Sequence, residues 1–445
     1  MNKEDMILMS VDDHVIEPPD MFKQHLSKAE LAKAPQFISD ESGVDFWLFE
    51  GRKVINVGLN AVVGRPKTEY GCEPTSLSQI REAAYNIDKR IDDMNADGIL
   101  SCMCFGTFIG FDGGFFVDAK DKKNAVRMVS AYNDWHIDEW AAKHPGRMIP
   151  LAILPLWDNM ACVAEIKRVV KKGCHAVTFP DNPTVKGLPS IHNAFWDPVW
   201  AICDELRVVV NCHIGTGYQP PHPSMESPIN SWITSMPISI ANSAADWMHL
   251  GALLKYKNLK ISLTEGGIGW IPYLLERADF SFEQHAGWTN MSFGGKKPSE
   301  VFKEHFITCF IDDKFGIKNY ADIGEDIICF ETDYPHSDCV WPNAADVLWD
   351  SVKDLPERVI NKVTHQNAIR EFSFDPITLL GRENCTVAAL QAQARRDGVD
   401  TRVVSAGGHN PHLEAGGKVV TSGDVIKLFA DNVGKGGDDE TAKAS

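Results

Sequence analysis

Eight runs rich in apolar and β-branched residues punctuate the chain, at 7–14, 99–105, 148–154, 174–180, 207–214, 259–264, 305–311 and 327–332. Each is nearly continuous rather than alternating, the pattern of strands covered on both faces, as in parallel sheets. Between most of them the apolar spacing changes to that of helices. Over 86–97, Ile87, Ile91 and Met94 share one face, and Gly98 follows as a left-handed stop. Asp158 is placed to cap a helix carrying Val163, Ile166, Val169 and Val170, and Asp197-Pro198 reads as an N-cap followed by proline at the first helical position. Repeated strand–helix alternation predicts an α/β fold, and eight such units predict a (β/α)8 TIM barrel in preference to an open doubly wound sheet.

Two stretches fall outside this rhythm. Residues 15–85 form a long insertion after the first strand, with hairpin-like pieces at Phe46 to Phe49 and Lys53 to Val57 around Gly51-Arg52. Its aromatic and apolar content predicts an ordered cap over the barrel mouth. The barrel should close with the helix after Pro356 that carries Val359, Ile360, Val363 and Ile369, so that residues 1–374 make one barrel with its cap. Residues 375–445 read as a C-terminal extension, with a helix at 386–396, short strands at 403–405 and 419–421, and a disordered tail from about 434. Its few apolar segments are too short for a core of their own, so they are expected to pack on the barrel or to serve a homo-oligomeric or hetero-oligomeric contact.

Composition narrows the function. The 445 residues are 44% hydrophobic and 24% charged, as in ordinary globular proteins, and the net charge of −17 repels nucleic-acid backbones and anionic membranes. No apolar run approaches the roughly 20 residues of a membrane span, and the N-terminus lacks a signal-peptide pattern. A cytoplasmic protein acting on a small molecule is expected. The eleven cysteines, an odd number scattered singly or within apolar runs, read as reduced thiols, with Cys102 and Cys104 as core filling.

The chemistry lies at the ends of the apolar runs. Asp12 and His14 stand at i and i+2 on the first, so they point the same way, while His213 ends the fifth and Asp333 follows the eighth. Singly, each has a bland role: a turn cap, a core histidine, a loop brace. Together, at the C-terminal face where barrels carry their sites, they read as a metal set of two carboxylates and two imidazoles. That set suits a divalent ion, zinc first, with manganese or iron as alternatives. Glu265, ending the sixth run, is the candidate general acid/base, a role Asp333 can also fill from just outside the metal shell. His336 is placed to bind substrate or stabilise an oxyanion, or to brace its loop. Arg52, Arg65 and Lys67 in the cap either meet a substrate carboxylate or solvate the surface; His175 reads as a packing residue, and His409 and His412 as loop histidines.

The stretches Asp12-Asp13-His14-Val15-Ile16-Glu17-Pro18, Ala84-Tyr85 through Arg90 to Gly98, Ala194 to Trp200, His213-Ile214-Gly215 and Thr332-Asp333-Tyr334-Pro335-His336 resemble the amidohydrolase superfamily. The similarity runs from about 7 to 373, and is to the branch of aminocarboxymuconate semialdehyde decarboxylase and the resorcylate decarboxylases. The resemblance assigns Asp12, His14, His213 and Asp333 to the metal. Two departures matter. Asp12 stands where many members have histidine, which lowers the Lewis acidity of the ion and moves the preference toward manganese or iron. Glu265 stands where many have a second histidine, and is either the acid/base or part of the metal shell. No lysine occurs at Thr178 to Asn182, where dinuclear members carry a carbamylated one, which leaves Asp181 or Glu265 as the bridging groups for a metal pair. Three activities follow from the resemblance: foremost a metal-dependent hydrolase acting on a small organic substrate through activated water, and as alternatives a nonoxidative decarboxylase, or a catalytic or structural subunit of a dinuclear iron or manganese monooxygenase. Self-association is also implied.

Overall fold

All eight apolar runs form strands that close into a parallel barrel in this computed structural model, which describes residues 1–218, 220 and 222–433. In chain order the strands are β1 (Leu8–Val15), β2 (Gln36–Ser39), β3 (Asp45–Phe49), β4 (Arg52–Val54), β5 (Ile99–Gly106), β6 (Met148–Ile149), β7 (Ala176–Thr178), β8 (Val209–His213), β9 (Lys260–Thr264), β10 (Phe306–Phe310) and β11 (Ile328–Phe330). The barrel order is β6-β5-β1-β11-β10-β9-β8-β7. The ring shuts where Ala152, just past β6, bridges Val177: the Ala152 N–H donates to the Ala176 carbonyl at 3.0 Å and the Thr178 N–H to the Ala152 carbonyl at 2.9 Å. Closure puts β1 beside β11, so the first and last strands deliver their ends to one place.

The barrel interior is filled by residues two apart on successive strands, among them Met9, Val11, Met103, Phe105, Val209, Ile307 and Cys309. Between Ser10 and Asp13 the pairing of β1 with β5 shifts register. Such an irregularity changes which face a side chain takes. Val11 faces the interior, and beyond the shift Asp12 and His14 face the site, while Asp13 turns outward to the guanidinium of Arg90, 2.9 Å away on the helix Ile87–Asp97.

That helix ends as expected at Gly98, with φ of 79°. Asp158 caps Asn159–Val170 by accepting from the N–H groups of Met160 and Ala161 at 3.0 and 2.9 Å. Asp197 is not a cap: the preceding 3-10 turn Ala194–Trp196 runs straight into the helix Asp197–Leu206, and the Asp197 carboxylate pairs instead with Lys255 at 2.7 Å. In the insertion the predicted hairpin is β3–β4, joined on its other edge by β2, whose four half-exposed residues give too weak an alternation to be read. Trp47 fixes this cap to the barrel by stacking on Phe108 with centroids 4.4 Å apart.

The extension begins inside the barrel's own packing. Thr386 caps the helix Val387–Asp397, and Cys385 and Leu390 bury against Ile7 and Leu100 at the barrel base. Val387 approaches so closely that a Cβ on Gly98 would lie 3.0 Å from its methyl group. Beyond this helix the chain crosses the cap: the Val404 N–H donates to the Gly64 carbonyl at 2.9 Å, and Arg65 donates to the Gly407 carbonyl at 2.5 Å. The strands expected at 403–405 and 419–421 do not form. Val403 and Val404 lie exposed with no strand partner, and isolated bridges, Glu73 with His409 and Pro228 with Thr421, take their place. The expected disordered tail from 434 lies outside the described residues. No helix among the described residues is long and apolar enough to cross a membrane.

Candidate metal centre

Asp12, His14, His213 and Glu265 place one ligand atom each within 4.8 Å of one another, and Asp333 and His336 share His14 with a second such group. The Nε2 atoms of His14 and His213 are 3.3 Å apart. His14 Nε2 lies 3.1 Å from Asp333 Oδ1 and 3.8 Å from Asp12 Oδ1; His213 Nε2 lies 2.9 Å from Glu265 Oε2 and 3.6 Å from Asp12 Oδ2. The His213 ring is oriented from behind, where Nδ1 donates to the Ile214 carbonyl at 2.8 Å and so leaves the Nε2 lone pair for the site.

Both Asp12 oxygens are buried without a hydrogen-bond donor. A carboxylate in that position is costly unless a cation is bound. Burial, reinforced by the carboxylates of Glu331, Glu265, Asp333 and Asp13, pushes Asp12 well above the usual carboxylate range. Burial, together with Asp333, also raises Glu265. His14 moves the other way, held well below its ordinary value by burial and by the neighbouring His336, His213 and Arg90, which keeps it in the neutral ligand form. Crowded anions, orphaned oxygens and neutral imidazoles fit a divalent ion. Asp12, His14, His213 and Glu265 are the residues that would hold it, with Asp333 at the edge.

Two of these side chains sit on strained backbone. Glu265 has φ of 62° and Asp333 of 54°, the left-handed region that β-branched and bulky residues avoid. Neighbours over-determine both. The Asp333 N–H donates to the Asp12 carbonyl at 2.8 Å, tying β11 to β1. The Glu265 N–H donates to Glu331 Oε2 at 3.2 Å, and the Asp313 carboxylate accepts from the N–H groups of Ile268 and Gly269 at 2.8 and 2.6 Å. Gly266 is required here, because a Cβ would come 2.1 Å from the Ile240 side chain.

The remaining sequence candidates separate clearly. His336 joins the cluster, with Nδ1 2.9 Å from Asp333 Oδ1. Burial opposes its cation, but Asp333, Glu265 and Glu73 outweigh that and raise the imidazole above its ordinary value. Asp181 does not reach the site: it turns to Thr216, Ser243 and Tyr218, which its carboxylate accepts from. Arg52 is taken by the Phe115 carbonyl and Asp118, and Arg65 by backbone carbonyls, so neither is free for substrate. Lys67 does face a cavity of about 780 Å³ that borders the cluster through Glu265 and Glu331 and has walls of Trp270, Trp341 and Phe310. His175 packs with Nδ1 3.2 Å from the Leu206 carbonyl. His409 serves a backbone bridge.

Four residues of the site escaped the sequence reading. Glu331, buried beside Glu265 and pushed up to about 8 by burial, was hidden inside the last apolar run, where a lone carboxylate was the available signal. Phe111, whose ring lies 4.5 Å from His14 and 4.3 Å from His213, closes the site from the loop after β5. Glu73 comes from the cap, and Arg90, on the helix Ile87–Asp97, anchors Asp13 at 2.9 Å.

The sequence signature of the amidohydrolase family matches residues 83–374. No curated protein matches the chain. Among solved structures, an amidohydrolase from Mycobacterium avium subsp. paratuberculosis K-10 is similar at 21% identity and a TM-score of 0.63, over 82% of this chain and 99% of that one. 5-carboxyvanillate decarboxylase from Novosphingobium aromaticivorans DSM 12444, complexed with manganese and 4-hydroxy-3-methoxy-5-nitrobenzoic acid, is similar at 18% identity and a TM-score of 0.58, over 84% and 99%. 2,6-dihydroxybenzoate decarboxylase from Rhizobium is similar at 18% identity and a TM-score of 0.53, over 83% and 99%. With the barrel closed and the signature covering well over half of its length, the chain belongs to the amidohydrolase family.

Proposed function

We propose that this protein is a metal-dependent, nonoxidative decarboxylase of a small hydroxylated aromatic acid. The observation that carries the reading is the carboxylate-rich ligand set. Asp12 and Glu265, with Asp333 beside them, surround two imidazoles, and each added carboxylate lowers the power of an ion to acidify water, the property a hydrolase needs. Decarboxylation does not need it. A bound divalent ion would supply a positive centre for the substrate carboxylate and an adjacent oxygen; the carboxylate-rich set favours manganese over zinc, and a similar decarboxylase holds manganese.

In this reading Asp12, His14, His213 and Glu265 hold the ion and orient the acid. Asp333, with His336 Nδ1 2.9 Å from its Oδ1, is placed to deliver a proton to the ring carbon that bears the carboxylate. Proton transfer to that carbon, followed by cleavage of the carbon–carboxylate bond, releases carbon dioxide and leaves the bonding electrons to restore the ring. Phe111 keeps bulk water off the reacting face. Retreat of Asp181 from the site removes one of the two bridging groups a dinuclear oxygenase would use.

The test is carbon dioxide release from a panel of hydroxybenzoates by the manganese-loaded protein, run beside amide and ester substrates. Release from a hydroxybenzoate supports the reading. Hydrolysis of an amide or ester with no release from any acid overturns it.

A further inference from the structure

Two buried polar atoms beside the metal centre lack a protein partner and have complementary chemistry: Nε2 of His336 and Oε1 of Glu73. The two residues are only 8% and 4% exposed. They arrive from different parts of the chain, one from the loop after β11 and one from the cap, and the two segments are stitched together. The N–H groups of Val62 and Val63 both donate to the Pro335 carbonyl at 3.0 Å. Asn60 spans the join, its backbone N–H donating to Glu73 Oε2 at 3.2 Å and its side-chain amide to Ser337 Oγ at 2.7 Å.

The far end of each group is therefore fixed while the near end is not. His336 Nδ1 is committed to Asp333, and Glu73 Oε2 to Asn60. The Glu73 backbone is held as well, exchanging hydrogen bonds with His409 at 2.9 and 3.1 Å. The charge of each side chain is felt by the other. Buried donors and acceptors are rarely left unpaired in native proteins. A donor and an acceptor held on two stitched segments beside one centre can both be satisfied by a single group that accepts and donates.

We propose that Glu73 and His336 form a slot for a substrate hydroxyl, which donates to Glu73 Oε1 and accepts from Nε2–H of His336. This deepens the decarboxylase reading and rests on it for the aromatic acid, though the slot itself is defined by the side chains alone. It makes Glu73 a substrate-binding residue supplied by the cap. A methoxy group in place of the hydroxyl still accepts but cannot donate, and so loses the bond to Glu73.

The experiment is calorimetric titration of the metal-loaded protein with the isomeric hydroxybenzoates and their methoxybenzoate counterparts, repeated for Glu73→Gln and Glu73→Leu. In the parent, at least one hydroxy isomer should bind about tenfold more tightly than its methoxy partner, the worth of one hydrogen bond. That ratio should shrink in Glu73→Gln and approach one in Glu73→Leu, with metal content unchanged. Should the leucine variant fail to fold, Glu73→Met, of similar length and with only a weak acceptor, decides. A ratio that survives both substitutions, or a parent that never prefers the hydroxyl, overturns the slot and leaves solvent as its occupant. Carbon dioxide release is scored separately: a hydroxyl preference without release keeps the slot and removes the decarboxylase reading.

Discussion

His14 Nε2 and His213 Nε2 stand 3.3 Å apart across the barrel mouth. Two nitrogens bound to one ion at about 2.0–2.1 Å, with a near-tetrahedral angle between them, are separated by roughly that distance. The spacing is that of two corners of one coordination shell, built by residues 199 positions apart in the chain. His213→Ala should therefore lower metal content from about one equivalent toward zero, as elemental analysis after gel filtration would show. Because an ion bound to the native state stabilises it by mass action, chelation should also lower the unfolding temperature of the parent. Unchanged metal in the variant would move the ion elsewhere.

Glu265 and Asp333 should part company under substitution. Glu265 Oε2 lies with the ligand atoms, so Glu265→Gln should weaken metal retention about 10- to 100-fold, in the range of ligand-support losses. Asp333→Asn should keep the metal and lower turnover by about 10²- to 10⁴-fold, the scale of a lost general acid. Metal titration together with kcat separates them, and the reverse pattern would exchange the two roles.

Buried acids away from the site should make stability fall as pH rises. Glu17 accepts from the N–H groups of Thr107 and Phe108 at 2.9 and 3.0 Å, yet burial pushes it from 4.5 up to about 7. Asp97, accepting from the Ala344 N–H, is pushed from 3.8 up to about 8, again chiefly by burial. Both folded-state values exceed the unfolded ones, so the native state binds more protons between them. Their stabilisation is full below about 4 and is lost as pH climbs toward 8, by up to about 1.4 kcal/mol per group for each pH unit in the window. Urea unfolding of the parent between pH 5 and 8 should show this decline, with a shallower slope for Asp97→Asn. A stability that climbs steadily over that range would contradict it.

Two truncations should behave differently. Ending the chain at 375 strips the cover from Ile7 and Leu100 and should give insoluble protein, whereas ending it at Asp397 keeps Cys385, Val387 and Leu390 in place and should leave a folded, metal-bound barrel. We propose that the segment beyond 397, which exposes Val403, Val404, Leu413 and Val419, also serves assembly. Light scattering should then show a smaller particle for the chain ending at Asp397 than for the parent. A soluble 1–375 chain would place the boundary where the sequence alone suggested.

The barrel and the cluster at its mouth were legible because both are written in local pattern. Continuous apolar runs mark the strands, and Asp12, His14, His213 and Asp333 sit at their ends. What escaped depends on contacts between distant segments. The register shift at Ser10 to Asp13, which lets the neighbours Val11 and Asp12 both face inward, leaves no mark in hydrophobicity. Glu73 becomes part of the site only because the Pro335 carbonyl draws in Val62 and Val63. Residues 376–397 looked like an appendage because their apolar positions are few, although Cys385, Val387 and Leu390 bury against the barrel. Asp181 shows the converse: its place at the end of β7 suggested a ligand, but Ser243 and Trp247 on a long helix claim it.

The most direct measurement of the central claim is mass spectrometry of the product formed in deuterated water from the hydroxybenzoate that the metal-loaded protein turns over. The account predicts carbon dioxide and a phenol with one deuterium at the carbon that carried the carboxylate, and almost no product from metal-loaded Asp333→Asn. Absence of carbon dioxide from every acid tested, with the metal bound at His14 and His213, would contradict it.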